Sequence, residues 1–404
     1  MDPINVSCIR WIPKNFCKSS MFYSYYDRID DNNSLDQSSM VENGVNSDKY
    51  MYMPLDNEIT NGKLLENNLA KEKGINEEWN YLNDGDLSDS CPSIEESDRV
   101  LVVGSNYEDY SSLEIVLYNV DSCGLETHHE IPLNGYPLAM ELLPRQNLGV
   151  LACIGTYTPD ITIWDIYDVD LLEPLAVLST YNGKHKERKD RNCGIISLDY
   201  ERNYLCAGSE DHNVYMWDLQ KQEIFNTIRH HNDKVQIVKW HNNDPNILIS
   251  AAFDNKLVVN DIRNNVKVGE MTLSSDVECA IWYNSTDSLL VGFENGSIKC
   301  YDLRVMGNEN VWSVDNNKKA CTSLALKSNV LVSSSLSGTV NIYSLDPNSN
   351  TCPEPKKIYK KKLGAGPIFA SSASIDDEYI FAFGCEVIVI ADLLSFDKFR
   401  QMIQ

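Results

Sequence analysis

A short β-like run recurs seven times along the chain, and this recurrence constrains the fold more than any other feature. The copies are LEIVLYN (113–119), ITIWD (161–165), NVYMWD (213–218), KLVVND (256–261), SIKCYD (297–302), TVNIYS (339–344) and EVIVIAD (386–392). Their last residues stand 46, 53, 43, 41, 42 and 48 apart, near the period of about 40–45 residues expected of a four-stranded propeller blade. Seven copies lie within the usual range of blade number. Most copies follow a second strand-like run, such as NYLCAGSED, NILISAAFD, SLLVGFEN, NVLVSSSL or YIFAFGC, closed by Asp, Asn, Gly or Ser as a tight turn requires. Further upstream recurs a third run, IISLDY (195–200), VQIVKW (235–240) and VECAIW (277–282), apolar first and aromatic sixth. The pattern predicts that it is the inner strand, lining a central channel.

VSCIRW (6–11) fits the same template, although it stands about ninety residues before the first hairpin, VLVVGSN to LEIVLYN. It reads as the inner strand of blade one, which makes blades one and seven neighbours and closes the ring. The expected organisation is an all-β, seven-bladed WD40 propeller: residues 4–18 the inner strand of blade one, 19–98 a long acidic insertion, 99–395 the seven blades, and 396–404 a C-terminal tail. Residues 1–98 carry 19 acidic against 8 basic side chains, and from Ser19 to Asp98 Asn, Asp, Ser and Glu dominate with little apolar periodicity. Such composition cannot offset its ordering entropy, so the insertion is expected to be mostly disordered.

The formal charge of −24 repels polyanions except where positive residues gather. Two runs do so: KHKERKDR (184–191), with Lys184, Lys186, Arg188 and Lys189, and KKIYKKK (356–362), with Lys356, Lys357, Lys360, Lys361 and Lys362. Each is a candidate for salt-dependent, sequence-blind contact with RNA phosphates; the alternative is a solvated loop. The twelve cysteines include no CxxC pair and read as reduced core thiols, with no metal or cofactor implied. No stretch approaches 18 apolar residues and no basic leader is present, so a soluble, intracellular protein is expected. GxSxG, P-loop, GxGxxG and HExxH signatures are all missing, leaving enzymatic readings without a motif. The pairs His128-His129 and His230-His231 fall beside strands, where neighbouring side chains are expected to face opposite ways and not to share a metal.

Several positions read as structural WD features: Trp164, Asp165, Trp217, Asp218, Asp261, Tyr301 and Asp302 at strand ends, and Asp211, which can hydrogen-bond inward to brace its blade. His231, Ser250 and Asp254 are expected to form one buried polar network, which stabilises only if fully satisfied.

The stretches VSCIRWIPKNFCK, SNYEDYSSLEIVLYN, HHEIPLNGYPLAMELLP, TYTPDITIWDIYDVDLLEP and HHNDKVQIVKWHNNDPNILISAAFDNKLVVNDIR together resemble the periodic tryptophan protein 1 family of WD-repeat proteins. DVDLLEP discriminates best, since generic WD repeats do not carry it. The resemblance covers about residues 4–18 and 99–395. It implies a non-catalytic scaffold in the nucleus and nucleolus, acting in ribosome biogenesis on the large-subunit precursor and on ribosomal RNA production. The implied partners are assembly factors or ribosomal proteins, with local RNA contact, no membrane, and a monomer within a larger complex. It also implies a lysine-rich insertion before the third blade, which KHKERKDR occupies in shorter form, diluted by Glu187 and Asp190. By its charge the acidic insertion is expected to hold a basic partner.

Two other readings are carried forward. Asn260-Asp261-Ile262-Arg263 and Tyr301-Asp302-Leu303-Arg304 are similar to the WDxR signature of cullin-4 ubiquitin-ligase substrate receptors, making Arg263 and Arg304 candidate adaptor contacts unless they pair with nearby carboxylates. A histone-tail or chromatin reader needs an aromatic cage; Tyr200, Trp240 and Trp282 are available, but their repeated sixth position points to packing between blades.

Overall fold

The computed structural model describes residues 5–17, 94–145, 149–180, 193–283, 287–305, 310–315, 319–346, 352–396 and 399–400. The bulk of the acidic insertion and the run KHKERKDR lie outside the described residues. Among the described residues, twenty-seven strands form seven antiparallel sheets, each a meander in sequence order. Blade one comprises β1 (Asn5–Trp11), β2 (Asp98–Asn106), β3 (Ser111–Asn119) and β4 (Leu125–Leu133); blade two, β5 (Ala139–Arg145), β6 (Gly149–Gly155), β7 (Asp160–Asp165) and β8 (Ala176–Ser179). Blade three holds β9 (Ile195–Glu201), β10 (Tyr204–Ser209), β11 (Val214–Asp218) and β12 (Glu223–Ile228); blade four, β13 (Val235–Trp240), β14 (Ile247–Ala252), β15 (Lys256–Asp261) and β16 (Val266–Thr272). Blade five runs from β17 (Val277–Trp282) through β18 (Ser288–Phe293) and β19 (Ser297–Asp302) to β20 (Trp312–Asp315). Blade six runs from β21 (Cys321–Lys327) through β22 (Val330–Ser335) and β23 (Thr339–Ser344) to β24 (Lys356–Lys362). Blade seven has three strands among the described residues, β25 (Ala370–Ala373), β26 (Ile380–Gly384) and β27 (Ile388–Asp392), one fewer than the repeat predicts.

β1 pairs antiparallel with β2, Trp11 opposite Leu101, so a strand from the start of the chain is the innermost strand of blade one. It also meets both neighbouring blades. Val6 N–H donates to Cys385 O at 2.7 Å and Trp11 Nε1 to Ser372 O at 3.2 Å, towards blade seven, while Ser7 Oγ donates to Pro137 O at 2.6 Å, towards blade two. The blade resumes at Ile94: Ile94 packs on the blade-one core, and Asp98 Oδ1 accepts from Asn119 Nδ2 at 2.8 Å.

The inner-strand template has an odd parity that a regular strand cannot satisfy, because its first and sixth residues would face opposite sides. A β-bulge resolves this. In β1, β13, β17 and β21 the register slips between the first and third residues. Val6, Ile9 and Trp11 therefore share one side, as do Val235, Val238 and Trp240. That side packs on the preceding blade: Trp11 against blade seven, Tyr200 against blade two, Trp240 against blade three and Trp282 against blade four. The core is thus seven interblade layers. Eight of the eleven described cysteines are buried, and burial pushes the thiols of Cys8 and Cys385 up to about 11 and about 12.

Candidate functional site

In blade four, His231 Nδ1 lies 3.2 and 3.3 Å from the Asp254 carboxylate oxygens and Nε2 lies 2.8 Å from Ser250 Oγ. Asp254 also accepts from the backbone N–H of Asn232 (3.0 Å) and Lys256 (3.2 Å). Burial pulls the imidazole below its usual 6.5, opposed by the Asp254 charge. Where five of the other blades carry an aromatic, Asn260 stands, and its Oδ1 lies 2.7 Å from His230 Nδ1. Asp211 differs from its expected inward role: Oδ2 accepts from Tyr215 Oη at 2.6 Å and Oδ1 from Asn213 N at 3.2 Å, so it braces its own hairpin. Among the described residues before β9, Cys193 and Gly194, no histidine is present to meet it.

Trp164, Trp217 and Tyr301 are buried between blades. The aspartate after each of these, and Asp261 after Asn260, caps the turn leaving its strand: Asp165 Oδ1 accepts from Tyr167 N, Asp218 from Gln220 N, Asp261 from Arg263 N and Asp302 from Arg304 N, all at 3.0–3.1 Å. In the last two the arginine folds back onto the same carboxylate, Nη2 to Oδ2 at 2.6 Å in both, and its hydrogen bond holds the aspartate below the usual carboxylate range. Arg263 and Arg304 therefore sit on adjacent blades as exposed guanidinium groups already forked onto their own chain.

The seven inner strands enclose a channel of ≈ 540 Å³. Its polar lining was not singled out from the sequence, although the signal existed: the fifth template position, beside the aromatic, is Arg10 in β1, Asp199 in β9 and Lys239 in β13. Lys239 Nζ meets Asp199 Oδ1 at 2.5 Å while Asp199 Oδ2 accepts from Trp240 N at 2.6 Å, and Arg10 lies 3.7 Å from Glu141. On β17, burial first, then Glu294 and Asp276, pushes the Glu278 carboxyl up to about 7.

KKIYKKK is not a loop but β24, the outermost strand of blade six. All five lysines are exposed; Lys357 Nζ lies 5.9 Å from the Tyr343 ring centre and Lys361 Nζ 4.8 Å from that of Phe396. Lysines along an edge strand discourage edge-to-edge pairing, and the same row offers a track for phosphates.

The two histidine pairs differ. His230 and His231 turn to separate partners, but His128 and His129 do not face opposite ways: their Nδ1 atoms are 2.8 Å apart. A bulge causes this, because Ile115 pairs with His129 and the adjacent Val116 with Thr127, leaving His128 as the extra residue outside the strand alternation. Both imidazoles are pulled down by burial, His129 to about 4 with the help of its neighbour. Among the described residues no group of three His, Cys, Asp or Glu side chains is arranged to hold a metal ion.

Comparison with known proteins agrees with this architecture. Residues 185–218 match the family "WD domain, G-beta repeat" (WD40). The chain is 26% identical over 363 residues to the periodic tryptophan protein 1 homolog of Drosophila melanogaster, covering 85% of this chain and 77% of that protein. It is 24% identical over 295 residues to periodic tryptophan protein 1 of Saccharomyces cerevisiae, covering 63% of this chain and 50% of that protein. Among solved structures, the WD40 beta propeller domain of Doa1 superposes with a TM-score of 0.59 at 15% identity, over 75% of this chain and 92% of that one. At such identity the structure speaks for the fold alone.

Proposed function

From the premise that this WD-repeat propeller resembles the periodic tryptophan protein 1 family, we propose that it is a non-catalytic scaffold of ribosome biogenesis in the nucleus and nucleolus. It binds assembly factors or ribosomal proteins of the large-subunit precursor and acts as a monomer within that larger complex. The observation that carries the reading is the similarity to the fly homolog, which extends over 85% of the chain. A rigid ring suits such work: loops from several blades converge on each face, so one partner is gripped by residues far apart in sequence. β24 supplies a local RNA contact, its five lysines forming a basic row on a chain of net charge −24. Replacing Lys356, Lys357, Lys360, Lys361 and Lys362 with glutamate should abolish co-sedimentation with large-subunit precursors while the thermal transition persists. Unchanged co-sedimentation of the variant would remove β24 from the function. The acidic segment serves as a charge mimic for a basic partner, tested by deleting residues 20–93 and leaving Ile94–Asp98 to complete blade one; retention of every basic partner would count against it.

A second reading rests on Arg263 and Arg304, exposed on neighbouring blades in Asp-x-Arg turns. If they dock a cullin-4 adaptor, the double alanine variant loses that adaptor; forking onto Asp261 and Asp302 argues for a turn-capping role instead.

A further inference from the structure

Among the described residues six blades end in an outer fourth strand, whereas blade seven ends at β27. The consequence is visible in burial. The third strands β3, β7, β11, β15, β19 and β23 are mostly buried, whereas all five residues of β27, IVIAD, are half-exposed, and the preceding Val387 is 42% exposed. Among the described residues β27 pairs only with β26. Its other edge is a row of backbone donors and acceptors flanked by Ile388 and Ile390, an arrangement that templates an added strand. The described residues that follow β27 do not turn back along it. Asp392 caps the 3-10 turn Leu393–Ser395, and Phe396 and Phe399 then pack towards blade six, Phe396 on Tyr359 at 5.4 Å between ring centres. The blade-six face beside this edge is therefore filled, and the face towards blade one carries Ile388 and Ile390.

Blade one presents a charge of defined sign there. Val116 and Tyr118 face blade seven together with Ile388 and Ile390, and the two-residue period of β3 puts Glu114 on the same side. Glu114 is directly opposite Glu130 of β4, a like-charge pair that is unfavourable by itself. Glu114 is 7% exposed and accepts from Tyr107 Oη at 2.7 Å; among the described residues neither carboxylate has a cationic partner. Tyr107 stacks on Tyr110 with ring centres 4.5 Å apart and planes at 11°, and Tyr110 is 46% exposed. Two carboxylates beside an exposed aromatic face suit a guanidinium or ammonium group.

We propose that β27 is a docking edge for an extended basic segment of a partner protein, which adds as the fourth strand of blade seven and places an arginine or lysine between Glu114, Glu130 and Tyr110. Charge complementarity selects this occupant over the chain's own segment between blade-one strands, since residues 1–98 carry 19 acidic against 8 basic side chains and would be repelled by the glutamates. The inference does not depend on the ribosomal reading.

The test uses the full chain and a labelled eleven-residue peptide alternating valine with arginine, followed by fluorescence anisotropy and amide hydrogen exchange. The expected result is saturable binding with protection of the amides of residues 387–392, no binding of the same pattern with glutamate for arginine, and affinity about tenfold weaker in E130K plus Y110A with no loss of thermal stability. Tyr110 and Glu130 are exposed, so this variant tests the anchor without disturbing the core. Binding without protection of β27, or equal affinity for the variant or the acidic peptide, overturns the proposal. Two further results do so as well: β27 amides already protected in the free chain and released on deleting residues 20–93, which assigns the edge to that segment, or protection accompanied by dimer sedimentation, which assigns it to a second copy.

Discussion

Replacing Trp11 tests whether the ring is held shut at the junction of blades one and seven. The indole is 2% exposed, packs edge-on against Tyr118 with ring centres 6.4 Å apart, and donates to Ser372 O of blade seven. A buried tryptophan removes about 200 Å² from water, which at about 25 cal/mol per Å² amounts to about 5 kcal/mol, of which alanine retains a fraction. The lost hydrogen bond adds about 1 kcal/mol and the aromatic contact about as much, so Trp11→Ala should destabilise by about 4–5 kcal/mol, within the span measured for such truncations. Domain stabilities are about 5–15 kcal/mol, so the loss is a large share of the total. Trp11→Phe keeps most of the area and should cost about 1–2 kcal/mol. Urea unfolding measures both. Native-state hydrogen exchange should localise the loss, with β1 and β25 opening first in the alanine variant and β13 and β17 in Trp282→Ala. A cost below about 1 kcal/mol for Trp11→Ala, or uniform opening, would refute the idea that β1 closes the ring.

His129 has a folded pKa near 4 against 6.5 for the free side chain, so the unfolded chain binds the extra proton and stability falls as pH drops from about 6.5 to about 4, by up to about 3 kcal/mol; His129→Gln should flatten this slope in pH-dependent urea titrations. Glu278 has the opposite sign: its carboxyl is raised from 4.5 to about 7, so the folded state holds the proton and stability is lost as pH rises through that window. Glu278→Gln should then raise stability at pH 8 by about 1 kcal/mol, after discounting for its partial exposure, and leave it unchanged at pH 4, readable by differential scanning calorimetry. Asp254→Ala strands His231 and two backbone N–H groups and should cost about 3 kcal/mol by urea unfolding, with Asp211→Ala costing less because it strands only the Tyr215 hydroxyl and one backbone N–H. Reversing the five β24 lysines should lower the slope of log affinity against log salt for single-stranded RNA by about 3–4, measured by filter binding across salt concentrations.

Much of this fold is legible in the chain because each blade repeats its own local instructions. The third strands, ending in an aromatic in five of the seven copies, and the turn residues before them mark the hairpins by period alone, and VSCIRW carries enough of the inner-strand template to be matched with sequences some 190 to 270 residues away. What escapes is whatever depends on departures from alternation. The bulge that brings His128 and His129 together adds one residue to β4 and leaves no compositional trace. That blade seven has three strands among the described residues is likewise hidden: LLSFDKF after β27 is as apolar as a strand, yet its phenylalanines bind the blade six and seven core. Surface function is harder still. A row of lysines looks the same whether it keeps an edge from pairing or touches phosphate, and only the geometry of β24 shows that it lies along an outer edge.

If this propeller works as the proposed scaffold on large-subunit precursors, affinity purification of the tagged chain from nuclear extract, with RNA and protein content read across a sucrose gradient, will show it. Precursor RNA and assembly factors are expected to co-migrate with the protein in the pre-60S fractions. Recovery of a cullin-4 adaptor with no precursor RNA, or migration as a free protein at the top of the gradient, would contradict the proposal.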